Sequence, residues 1–202
     1  MKYLKIIFLL GVLVVMAFSN KRNVDVTMNL HPAMIDTMPV DICAVVTPQE
    51  IDAMNIFNNG AISKSYPEPD PVENFHACYY EFDRVPHRYG ALGVQLMKAF
   101  SKEEAGNIFS EFKYDHHRIW GVNPETILHL ADSACMTMNE GCADKCREAV
   151  LIVKQGFYVI WIQMKAPEGT LRDRLKTMAI KIVNMMYDRI PGLAPQYIRT
   201  KN

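Results

Sequence analysis

Three cysteines stand close together in this sequence, Cys135, Cys142 and Cys146, with Met136 and Met138 beside the first and His116, His117 and His129 upstream. Thiolate, thioether and imidazole are donors that suit Cu(I) or zinc, so this stretch is the candidate for metal binding or thiol-redox chemistry. Its spacing fits no finger or ribbon pattern, and neighbouring cysteines in an oxidising compartment more often pair with each other. The turn decides which pair: a tight turn at Asn139 to Gly141 sets Cys135 opposite Cys146, whereas a wider loop sets Cys142 against Cys146. His116 and His117, read as lying just past a helix, suit its C-terminal dipole, and adjacent histidines rarely both reach one ion.

The remaining cysteines, Cys43 and Cys78, invite a structural reading. Cys43 precedes a helix N-terminus and Cys78 falls mid-strand, a spacing that suits a disulfide stapling helix to sheet. A loop of that length stabilises by roughly 4 kcal/mol in the chain-entropy model. Five cysteines leave one thiol without an internal partner. Tyr80, Trp120 and Trp161 are candidates to line a ligand pocket, although aromatic residues on strands more commonly pack a core. The serines occupy caps and loops and show no Gly-x-Ser-x-Gly elbow, paired catalytic carboxylates are missing, and no glycine-rich phosphate loop appears. The sequence therefore points to no catalytic residue and implies no cofactor.

The elements that must position these residues are announced by caps and periodicity. Thr47-Pro48-Gln49-Glu50 combines an N-cap, a proline at the first helical position and a glutamate reaching back, and the helix is expected to run to Asn58-Asn59-Gly60. Ser101-Lys102-Glu103-Glu104 opens a second helix. A third begins at Thr170-Leu171-Arg172-Asp173, with Leu171, Leu175, Met178, Ala179, Ile182, Val183, Met186 and Ile190 on one stripe before Pro191-Gly192. Between them, 75–82, 89–97, 133–138 and 150–164 read as strands, the last folded into a hairpin at Lys154-Gln155-Gly156. Tyr66 to Pro71, with three prolines, reads as an extended solvated loop. The order helix, two strands, helix, three strands, helix gives an α+β fold: an antiparallel sheet flanked by helices and closed by a long C-terminal amphipathic helix.

Lys2 and Lys5 precede an uncharged apolar run, 6–18, that ends in small and polar residues, the order of a secretory signal peptide cut after Ser19. The run is shorter than the roughly 20 residues a membrane-crossing helix needs, so membrane association is expected only if the leader stays uncleaved. Residues 20–40 form a lead-in segment and 41–202 a single domain. Lys plus Arg and Asp plus Glu balance at 22 each, which gives none of the basic excess that a nucleic-acid partner requires. The expected location is periplasmic or extracellular.

At Cys43-Ala44-Val45-Val46-Thr47-Pro48-Gln49-Glu50 with Cys78-Tyr79-Tyr80 downstream, the chain resembles secreted bacterial domains of undefined function, best populated by actinobacterial lipoproteins. Their pattern opens with Cys-Ala-Leu-Leu-Thr and a capped helix, and Leu130-Ala131-Asp132-Ser133-Ala134 is similar to their Leu-Gly-Asp-x-Ala segment. The resemblance implies the sandwich shared with the PsbP subunit of photosystem II, and it implies no activity. Here there is no lipid-attachment cysteine, Ala131 replaces a glycine, and Cys142 and Cys146 are additional. The functional expectation is an exported, non-enzymatic binding domain whose partner is an envelope protein or a small apolar ligand. A metal-binding or thiol-redox protein built on Cys135, Cys142 and Cys146 is the alternative.

Overall fold

The computed structural model describes residues 40–55, 61–67, 74–82, 90–142, 146–167 and 169–195. The signal peptide, nearly all of the lead-in segment and the predicted helix stop at Asn58-Asn59-Gly60 lie outside them. Two short helices come first, α1 (Ile42–Val45) and α2 (Pro48–Ala53), then strands β1 (Ile62–Pro67), β2 (Phe75–Phe82) and β3 (Ala91–Lys98). Helix α3 (Lys102–Trp120) follows, then β4 (Glu125–Thr126), β5 (Ser133–Cys142), β6 (Cys146–Gln155), β7 (Tyr158–Pro167) and helix α4 (Arg172–Arg189). The strands form one sheet in the order β1-β2-β3-β7-β6-β5-β4, with every neighbouring pair antiparallel. This is the α+β architecture the sequence implies, with two strands more than expected.

Side chains alternate between sheet faces, so each strand contributes to two different cores. On one face Tyr80, Val94, Leu151 and Ile162 pack beneath the apolar stripe of α4, where Leu175, Ala179, Ile182, Val183 and Met186 have no exposed surface. α1 and α2 cover the β1–β3 half of that face through Ile42, Val46 and Ile51. On the other face α3 lies over β5, β6 and β7, and Ala105, Ile108, Phe109 and Phe112 meet Cys135, Ile152 and Val159. Burying both faces of the central strands is why Val150 to Val153 reads as an unbroken apolar run rather than an alternating one.

Local chemistry accounts for the boundaries. Ser101 Oγ accepts the Glu104 N–H at 3.0 Å to open α3. The helix continues through His116 and His117, which the sequence reading placed beyond it, and stops at Gly121, whose φ of 66° only a glycine adopts without strain. α2 is shorter than expected because Asn55 turns left-handed at φ 48°. Its Asp52 accepts the Ile62 N–H at 2.8 Å at the start of β1. The hairpin between β6 and β7 turns at Gly156, φ 59°, as the sequence suggests.

Candidate functional site

The five cysteines are distributed according to the sheet's register. Cys43 in α1 and Cys78 in β2 are joined by a disulfide, their Cα atoms 5.2 Å apart. Asp41 sets up this position by capping α1: its Oδ1 accepts the Cys43 N–H at 2.9 Å and the Ala44 N–H at 3.3 Å. Cys146 is also disulfide-bonded, and the β5–β6 ladder sets it opposite Cys142 across an irregularity that begins after Asn139. The register does not set Cys135 opposite Cys146, as the tight-turn alternative requires. Cys135 faces Ile152 instead, six residues further along β6 from Cys146, or roughly 20 Å at strand spacing. It is a free thiol buried beneath α3, and burial pushes its pKa up against a smaller downward pull from Lys113. Among the described residues, no three His, Cys, Asp or Glu side chains converge on a point where a metal ion would sit. The register thus separates Cys135 from the other two cysteines of the candidate cluster.

The three pocket candidates divide in the same way. Tyr80 belongs to the face under α4, where its hydroxyl donates to the Val46 carbonyl. Trp161 is on the opposite face under α3, and Trp120 is the last residue of α3 itself. They do not form one pocket with Tyr80, because strand alternation points neighbouring β-residues to opposite sides. What α3 assembles is an aromatic seam. His116 stands edge-on to Trp120 at 4.9 Å and to Trp161 at 5.1 Å, and Phe112 meets Trp161 at 4.4 Å. His116 Nδ1 lies 2.7 Å from the Phe112 carbonyl; as that oxygen only accepts, Nδ1 carries the proton. The Trp161 Nε1–H is buried and has no acceptor among the described residues, so the seam holds one unspent donor. His117 has separated from it and lies against the Val122 carbonyl at 3.3 Å. His129 sits in the β4–β5 loop with a φ of 62°.

Sequence reasoning missed a polar corner where α1, α2 and α4 meet. Glu50, the capping-box glutamate of α2, accepts the Thr47 N–H at 3.1 Å and the Thr47 hydroxyl at 2.7 Å through Oε2. Arg189 in the last turn of α4 donates to the same oxygen at 2.7 Å, pairs with Oε1, and donates to the Val45 carbonyl at 2.6 Å. The Arg189 hydrogen bond, reinforced by Thr47, holds Glu50 down at about 2. A second junction is built on Glu125 in β4, which takes Lys176 at 2.5 Å and Arg172 at 3.2 Å from α4, with the Lys176 contact chiefly lowering its pKa. The capping motif gave away Glu50, but nothing local announces that Arg189, far along the chain, completes it.

No known protein family, curated protein or solved structure matches this chain significantly. Among the described residues, no helix is long and apolar enough to cross a membrane.

Proposed function

We propose that this chain is an exported, non-enzymatic binding domain of the periplasm or the extracellular space, of the secreted Cys-Ala-Leu-Leu-Thr kind it resembles. The observation that carries this reading is the Cys43–Cys78 disulfide. It ties α1 to an interior strand, and Cys78 has no exposed surface, so the bond is built into the packed core. A bond of that kind belongs to a chain that folds where thiols are oxidised. The basic and apolar leader supplies the route there.

Binding rather than catalysis is supported by the use to which the shifted groups are put. Glu50 and Glu125 tie helices to one another and to the sheet, and Cys135 is moved away from the thiolate form a nucleophile needs. The partner is an envelope protein, or a small apolar ligand held between α3 and the sheet where the Trp161 N–H has no acceptor among the described residues.

The deciding experiment is the intact mass of the native protein recovered from an exporting host, measured with and without alkylation and reduction. The expected species begins after Ser19, contains two disulfides and carries no metal. A chain that retains Met1 with every thiol free overturns the reading. Metal released by alkylating Cys135, Cys142 and Cys146 favours the metal or thiol-redox alternative.

A further inference from the structure

We draw no further inference here: the strongest candidate, the surface patch of Phe100, Leu128 and Phe157 exposed on three joined loops at the end of the sheet where β6 turns into β7, is bordered by charges of both signs, and nothing in the structure shows what covers it.

Discussion

Arg189, in the last turn of α4, grips the carboxylate of Glu50, which simultaneously caps α2. One side chain thereby carries the N-terminus of one helix and the docking of another, and the Arg189 guanidinium also satisfies the Val45 carbonyl at the end of α1. Glu50→Ala should remove the capping box and cost about 1 kcal/mol for the lost cap alone, read as a lower urea midpoint. The pH dependence follows from the direction of the shift. Glu50 is held at about 2 against an ordinary 4.5, so the folded state binds its proton more weakly than the unfolded chain. Its contribution is fully present above pH 4.5 and is lost as pH falls towards 2. Between those limits the wild type should lose stability faster than Glu50→Ala, and parallel acid-unfolding curves would contradict this.

The disulfide between Cys43 and Cys78 spans 35 residues, a loop that includes all of β1 and the capped helix α2. Closing it restricts the unfolded chain, and removing it with Cys43→Ser and Cys78→Ala together should cost about 4 kcal/mol. Cys78 has no exposed surface, which makes alanine the better replacement there because a serine hydroxyl would be buried. The measurement is urea unfolding of oxidised, reduced and doubly substituted protein. Reduction also opens the bond at Cys146, so the reduced protein should be at least as destabilised as the double variant, and a reduced wild type as stable as the oxidised one would remove the argument for an oxidising compartment.

Tyr80 tests the same corner from beneath. Its ring is almost completely buried and its hydroxyl donates to the carbonyl of Val46, a residue with no exposed surface. Tyr80→Phe keeps the ring but leaves that carbonyl unpaired, for a loss of about 1–3 kcal/mol at unfolding equilibrium. Burial, with Asp41 and Glu50 nearby, raises the phenol pKa, so Tyr80 should remain protonated in an ultraviolet alkaline titration until the fold gives way. A Phe variant with an unchanged midpoint would show that the hydroxyl contributes nothing.

What was legible in the sequence was what local chemistry decides. Ser101 opens α3, the stripe from Leu175 to Met186 faces the sheet, and Gly156 turns the last hairpin. β1 was hidden because Tyr66-Pro67 reads as the start of a proline loop, yet an edge strand tolerates a terminal proline whose partner lies on one side only. β4 was hidden because two residues carry no period, and only the pairing of Glu125 with Met136 and Thr126 with Cys135 makes them a strand. Tyr80 and Trp161 were grouped as one pocket because residue type says nothing about face; register with β3 decides that, and it separates them.

The free thiol is where the rival chemistry stands or falls. Cys135 sits beneath α3 at 2% exposure, opposite Ile152, and burial raises its pKa above the ordinary thiol value. Both effects slow alkylation, since reagents need access and react with the thiolate. In native protein iodoacetamide should therefore leave Cys135 unmodified, and in denaturant it should label Cys135 while Cys43, Cys78 and Cys146 stay bonded. Raised pH should speed native labelling only as the group approaches its elevated pKa, and then only at the rate at which α3 lifts from the sheet. Rapid native labelling at neutral pH would mean an accessible thiolate, and would turn attention back to redox chemistry at β5. Slow labelling that tracks global unfolding leaves Cys135 as a small apolar filler between Ile152 and the helix above it.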